Sequence, residues 1–141
     1  MIDGFLGNSS LPALERSLQF MSARQKLLAS NLANAETPGY RPVDVDPRAF
    51  QSALREALDT GRVDGAGSLV FDDGGPVSFE GGETRLEPTV LGENVLFHDG
   101  NDRSMERMFQ RLTENVYTFR MASQLLRSQF DLVNAAIRER P

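Results

Sequence analysis

Two stretches at opposite ends of this 141-residue chain repeat apolar residues at alternating spacings of three and four. The first runs from residue 11 to residue 35, with Gln25 as its one polar position, and the second runs from residue 105 to residue 137, broken only by Ser123. This is the a/d pattern of a helix that packs along another helix. Pro38 ends the first helix, because the residue before a proline is pushed away from helical angles. The pattern predicts two long helices, of about 40 Å and about 50 Å.

The predicted fold class is therefore mainly α, with the long N- and C-terminal helices paired in a coiled-coil-like inner domain. The large side chains on the two stripes are the expected packing positions. They are Leu14, Leu18, Met21, Leu28 and Leu32 on the first helix, and Phe109, Leu112, Val116, Phe119, Leu126, Phe130, Val133 and Ile137 on the second.

The segment between the two helices has a different composition. The chain carries a net charge of −5, yet residues 42–100 hold twelve acidic residues against four arginines, and seven glycines fall between Gly61 and Gly82. Such a segment rarely builds a core of its own. Asp46-Pro47 and Gly61 predict a short helix near 47–59, followed by extended chain or short hairpins. The expected organisation is 1–41, 42–100 and 101–141, with the first and last parts forming one domain.

Composition excludes most catalytic chemistry. The chain has no cysteine and one histidine, His98, so thiolate sites and histidine-rich metal sites are excluded. The acidic pairs Asp44/Asp46 and Asp72/Asp73 are interpreted as solvated loop residues, and a hydrolase that uses such carboxylates lacks convergent polar partners. We expect no enzyme activity, no cofactor, no metal, no nucleic-acid partner and no small-molecule substrate. The N-terminus also lacks the pattern of a cleaved secretory signal.

Two further features of the second helix indicate contacts outside it. A second apolar line runs beside the first, and two stripes on one helix require more than one partner. That partner is either a neighbouring molecule or the middle segment of the same chain. Arg103, Arg107 and Arg111 repeat on one face, where they either meet solvent or contact acidic residues of an adjacent subunit.

One segment is more specific than these patterns. At the end of the first helix, Asn31 and Asn34 are followed by Thr37, Pro38, Gly39 and Tyr40. Pro38 and Gly39 suit the two central positions of a type II turn. The asparagines are placed to bond backbone groups where the helix ends, and Tyr40 is placed to fold back over the turn.

This segment resembles the N-terminal signature of the flagellar axial proteins, the rod, hook and hook-associated family. The matching residues are Leu28 to Tyr40, Arg24-Gln25 and Arg41 to Asp46, and near the other end Asp99 to Asn101, Glu114-Asn115, Gln124 to Leu126, Phe130 and Ala136-Ile137. The length also suits a proximal-rod member. Asp102 to Met105 departs from the usual entry to the C-terminal helix.

The resemblance implies a structural subunit of the bacterial flagellar proximal rod, without catalysis. Such subunits assemble helically into a hollow shaft that crosses the periplasm, transmits torque and conducts exported subunits. The implied partners are copies of the chain itself, other rod subunits, the rod–ring junction protein, the MS-ring and the export gate. The implied location is the periplasmic rod of the basal body, reached through the flagellar export apparatus without a cleaved signal. The alternative is a soluble coiled-coil adaptor or export chaperone.

Overall fold

The computed structural model describes residues 10–65, 67–72, 74–80, 83–91 and 101–138, although the side chains of Ser10 and of residues 101–104 lie outside that description. Within these described residues, three helices and four short strands follow one another. They are α1 (Ser10–Ala33), β1 (Val43–Asp44), α2 (Pro47–Thr60), β2 (Val77–Glu80), β3 (Glu83–Leu86), β4 (Thr89–Val90) and α3 (Asn101–Arg138).

The first and last helices pack along each other, which confirms the predicted fold class. Asn115 on α3 donates a hydrogen bond to the carbonyl of Met21 on α1. One turn before Asn115, Arg111 lies near the carboxylate of Asp44, which is bound by Arg24, one turn after Met21. A step forward along α1 therefore corresponds to a step backward along α3, so the two helices are antiparallel. At 1.5 Å per residue, the start of α1 lies at the level of about residue 126, and the last turns of α3 extend beyond it.

The middle helix begins and ends at strong sequence signals. Asp46 is the N-cap, and its carboxylate accepts a hydrogen bond from the backbone N–H of Arg48 (2.9 Å). Pro47 occupies the first turn, where no backbone donor is needed. Gly61 ends α2 in the left-handed region at φ +62°.

The strands form two small antiparallel sheets. β1 pairs with β4, with Val43 opposite Val90, and β2 pairs with β3 as a hairpin, with Val77 opposite Leu86. Two-stranded sheets are marginal in water unless another element covers them. Here α1 covers them, because its residues contact both β1 and β3.

The apolar core lies between α1 and the middle segment. Phe20, Val45, Phe50 and Val77 form its buried centre. The rings of Phe20 and Phe50 stack at a centroid distance of 4.0 Å, and the aromatic row continues through Phe71 and Phe79. The division of the chain into two ends and a middle did not anticipate this core. The middle segment does not build a core alone; it completes one on a second face of α1.

Three positions of the packing stripe predicted for α3 are not covered within the single chain. Phe109, Phe130 and Ile137 are exposed by 51%, 52% and 67%. The most buried column of α3 lies beside the stripe instead, at Met108, Asn115 and Ala122, one residue every seven. The other predicted packing positions are buried at Leu28 and half-buried at Leu14, Leu18, Met21, Leu32, Leu112, Val116, Phe119, Leu126 and Val133.

Two physical causes account for the difference. A straight helix has 3.6 residues per turn, so a stripe that repeats every 3.5 residues rotates around the helix by about 20° per heptad. A single straight partner helix therefore does not stay in contact with the whole stripe. In addition, Phe130 and Ile137 lie past the level at which the described part of α1 begins. One helix of this chain therefore covers only part of the stripe.

Candidate functional site: the return of the chain after the first helix

The side chain of Asn31 joins the end of α1 to the strand that follows. Its amide donates to the carbonyl of Val43 (2.6 Å), and its oxygen accepts from the backbone N–H of the same residue (3.2 Å). The Tyr40 hydroxyl donates to that oxygen as well (2.8 Å). Asn31 is 1% exposed and pairs with Val43 as a neighbouring strand would. This one amide therefore fixes the position at which the returning chain lies on α1.

The turn between α1 and β1 leaves the rest of the motif in solvent. The backbone N–H of Tyr40 donates to the carbonyl of Thr37 (3.1 Å), so Pro38 and Gly39 occupy the two central positions. Gly39 has φ +77°, a conformation that residues with a side chain rarely adopt. The amide of Asn34 donates to the carbonyl of Ser30, one turn back (2.8 Å). The structure thus brings Asn31 and Tyr40 together and leaves Thr37, Pro38 and Gly39 exposed.

Asp44 follows directly and is buried, so its interpretation as a solvated loop acid is wrong. The guanidinium of Arg24 binds both of its oxygens, with Nε at 2.8 Å and Nη2 at 2.7 Å, and both side chains are at most 10% exposed. The backbone N–H of Val45 donates to one of these oxygens (2.8 Å). A buried carboxylate is tolerated because these donors replace its lost hydration. Asp46 accepts bonds as the cap of α2, so the two acids have separate structural roles.

The same carboxylate also reaches α3. Nη1 of Arg111 lies 3.9 Å from an oxygen of Asp44. One member of the arginine face therefore meets an acid of its own chain. Arg107 is exposed, and the side chain of Arg103 lies outside the described part of the chain, so an intersubunit role for this face remains a prediction.

Asn115 supplies the second polar tie between the long helices. It is 3% exposed, and its amide donates to the carbonyl of Met21 (2.9 Å). A polar residue at a buried seam position fixes the register of a helix pair, because any other register leaves its amide without a partner. Asn31, Asp44 and Asn115 together tie three segments to one another: α1 from its middle to its end, the strand after it and the first half of α3.

One buried residue near the other end of α1 was missed from the sequence. Arg16 is 7% exposed; its Nε donates to the carbonyl of Leu69 (3.0 Å), and its guanidinium lies 4.4 Å from the ring centre of Phe79. Nη2 of Arg16 also lies 3.7 Å from the carboxylate of Asp64. One sequence pattern could have indicated its burial: Arg16, Phe20 and Arg24 are spaced four residues apart, so they lie on one face of the helix.

The chemistry of this site is structural. In the part of the chain that the structure describes, no three acidic or histidine side chains come together to hold a metal ion. Within that same part, every fully buried side-chain nitrogen or oxygen already has a hydrogen-bond partner. No helix in the described ranges is long and apolar enough to cross a membrane. His98 lies outside the described residues.

Comparison with known proteins shows what this site is similar to. A family profile described as "Flagella basal body rod protein" matches residues 14–41, which cover most of α1 and the turn that follows it. Over these residues the chain is similar to flagellar basal-body rod proteins.

The chain is also similar to proteins named flagellar basal body rod protein FlgB. It is 40% identical to the FlgB of Yersinia ruckeri over 53 residues, 38% of this chain and 36% of that protein, so this match spans about a third of the relative. The FlgB of Salmonella typhimurium strain LT2 is 28% identical over 130 residues, 86% of this chain and 88% of that protein. The FlgB of Proteus mirabilis strain HI4320 is 26% identical over 128 residues, 89% of this chain and 90% of that protein.

Proposed function

We propose that this chain is a structural subunit of the bacterial flagellar basal-body rod, and that it assembles with copies of itself and with other rod subunits. The match of residues 14–41 to the rod-protein profile supports the rod as its place, and the similarity to FlgB proteins supports the proximal part of it. The shaft that it helps to build crosses the periplasm, transmits torque and conducts exported subunits. The rod–ring junction protein, the MS-ring and the export gate are the further partners that this position implies.

One observation carries the proposal: α3 presents large apolar side chains that the described part of its own chain does not cover. Seven of the nine exposed large hydrophobic residues among those described lie on this helix. They are Phe109, Tyr117, Met121, Leu125, Phe130, Leu132 and Ile137, each more than half exposed. Burial of such a side chain stabilises an interface by roughly 1.5–3 kcal/mol. A protein that works alone in water rarely keeps this many large apolar side chains of one helix uncovered.

These side chains include part of the second apolar line predicted from the sequence. Met121, Leu125 and Leu132 belong to that line, and we call them the exposed apolar row. The described part of the middle segment does not cover them, because its aromatic residues pack on α1 instead. Of the two partners left open by the sequence, this packing favours the neighbouring molecule. Copies stacked along a shaft place such a helix against the next subunit.

The test compares two substitutions on adjacent residues of α3. Leu125→Glu places a charge in the exposed apolar row, and Gln124→Glu adds the same charge at an exposed polar position next to it. Each variant replaces the native protein in a strain that lacks its own copy, and basal bodies are then purified. We expect Leu125→Glu to be missing from the basal bodies and to abolish swimming, and Gln124→Glu to behave as the native protein.

A second result separates the rod subunit from a soluble adaptor or export chaperone. A rod subunit co-purifies with basal bodies after detergent extraction, whereas an adaptor or chaperone remains in the soluble fraction. Incorporation of Leu125→Glu at the native level would show that the apolar row is not an assembly surface. Absence of the native chain from purified basal bodies would overturn the proposed function.

A further inference from the structure

The arginines of α3 lie on more than one side of the helix. Arg111 approaches the buried carboxylate of Asp44, and Arg107 also has a partner within the chain. Further along the helix, Arg120 and Arg127 are exposed, and among the described residues neither has an ion-pair or hydrogen-bond partner. They are seven residues apart, close to two full turns, so they lie on one side of the helix. We call these two residues the arginine pair.

The arginine pair and the exposed apolar row lie on different sides of α3. Arg127 follows Leu125 by two residues, which is a rotation of roughly 200° around the helix axis. Asp131 lies one turn after Arg127, yet the described structure contains no ion pair between them. A neighbouring molecule that covers the exposed apolar row therefore leaves the arginine pair available to contact a different molecule.

The β2–β3 hairpin carries two exposed charges of the opposite sign. Glu80, the last residue of β2, is the cross-strand partner of Glu83, the first residue of β3, and both are exposed. Like charges directly opposite each other destabilise a pair of strands. Arg85 is also exposed on β3, but in the part of the chain that the structure describes it forms no ion pair with either glutamate. We call Glu80 and Glu83 the glutamate pair.

We propose that the arginine pair of one copy binds the glutamate pair of a neighbouring copy in the rod. Two positive charges then meet two negative charges, and each pair gains the countercharge that the described part of its own chain does not supply. The two surfaces are different, so the contact is head-to-tail and continues from copy to copy instead of closing a two-fold dimer. The inference rests on the proposed function, because it requires copies of the chain side by side.

Such a contact contributes orientation more than strength. A single exposed ion pair stabilises a complex weakly, and charges at the rim of an interface mainly determine which partner binds and in which register. The exposed apolar row supplies apolar burial on one side of α3, and the arginine pair selects the neighbour on another side. Repetition of the same contact along the rod adds the small contributions together.

Charge reversal tests this pairing in a strain that lacks its own copy of the protein. The double variant Arg120→Glu and Arg127→Glu should lower the amount of the chain in purified basal bodies by about tenfold, because two attractive pairs become repulsive. The double variant Glu80→Arg and Glu83→Arg should have the same effect. The variant that carries all four substitutions should recover most of the native amount. Arg48→Glu with Arg55→Glu is the control, because these two exposed arginines are also seven residues apart, on α2.

Two results would overturn the proposal while leaving the proposed function intact. One is a native amount of the arginine variant in basal bodies, and the other is a fourfold variant that does not recover. Absence of the native chain from basal bodies would instead contradict the proposed function itself. Circular dichroism of each purified variant checks that the reversed charges have not unfolded the chain.

A cross-link tests the same contact without reversing any charge. The chain has no cysteine, so a variant with Arg127→Cys and Glu83→Cys carries only the two introduced thiols. Treatment of its basal bodies with a short bis-maleimide, which bridges the space left by the two long side chains, should give a ladder of cross-linked copies on a denaturing gel. The control pairs Arg127→Cys with Asp59→Cys, at an exposed acid on α2, and should give no ladder. Equal ladders, or no ladder from the first variant, would contradict the proposed contact.

Discussion

Replacement of Asn31 by alanine should destabilise the fold more than replacement of Asn34, which lies three residues further along the chain. The substitution removes one donor and one acceptor, and with them three hydrogen bonds: two to the backbone of Val43 and one to the hydroxyl of Tyr40. Each such bond contributes about 1 kcal/mol net, and a buried group left without a partner costs about 1–3 kcal/mol. We therefore expect a loss of about 3 kcal/mol in the free energy of unfolding.

The assay is thermal and urea unfolding followed by circular dichroism. The entropy of unfolding of a chain of this length is about 0.3 kcal/mol/K, so a loss of about 3 kcal/mol lowers Tm by roughly 10 °C. Asn34→Ala is the matched control. Its amide nitrogen donates to the carbonyl of Ser30, which also accepts from the backbone N–H of Asn34, and its oxygen accepts a long bond (3.5 Å) from the hydroxyl of Thr37. Both side-chain bonds are exposed to solvent. The control should change the stability by less than about 0.5 kcal/mol. Equal stability of the two variants would refute the role assigned to Asn31.

Two further substitutions test neighbouring parts of the same site. Gly39→Val forces a β-branched residue into φ +77° and should cost about 1–3 kcal/mol of stability. Nothing lies within 4 Å of the added Cβ, so the cost comes from backbone strain alone. Gly65→Val, equally open but without positive φ, is its control, and equal unfolding curves for the two variants would contradict the strain argument. Asp44→Asn leaves the buried guanidinium of Arg24 without its countercharge and should lower the free energy of unfolding by about 3–5 kcal/mol. Asp46→Asn is the control, because asparagine is also a good helix cap and the free energy of unfolding should change little. Similar urea midpoints for the two variants would contradict the role of the buried pair.

The sequence predicted the long elements because their signals are local. The spacing of leucines on α1, the stop at Pro38 and the caps at Asp46 and Gly61 each act within a few residues, so the helix bounds follow without knowledge of the rest of the fold. The pairing of the long helices also follows, since each carries a stripe that another helix can cover, but their antiparallel direction does not follow from the stripes.

The second face of α1 was not predictable from the same rules. Arg16 and Arg24 flank Phe20 on that face, and charged residues are usually taken as solvent-exposed. Their burial depends on partners far along the chain, the carbonyl of Leu69 and the carboxylate of Asp44. A rule that considers each residue by itself cannot predict pairs of this kind.

The buried column of α3, at Met108, Asn115 and Ala122, was not predicted from the sequence for a related reason. Size and hydrophobicity favour Phe109 over Met108, and Val116 over Asn115, as core positions. The structure selects the smaller or polar column because Ala122 allows close approach and Asn115 finds a backbone acceptor on α1. The large residues left outside the seam are the ones that we assign to assembly.

The most direct test of the rod-subunit account is a density map of the isolated basal body at side-chain resolution. The account predicts this chain in the wall of the rod, with α1 and α3 paired and with Met121, Leu125 and Leu132 in contact with apolar side chains of a neighbouring subunit. A rod that lacks the chain, or one in which these three side chains face water, would contradict it.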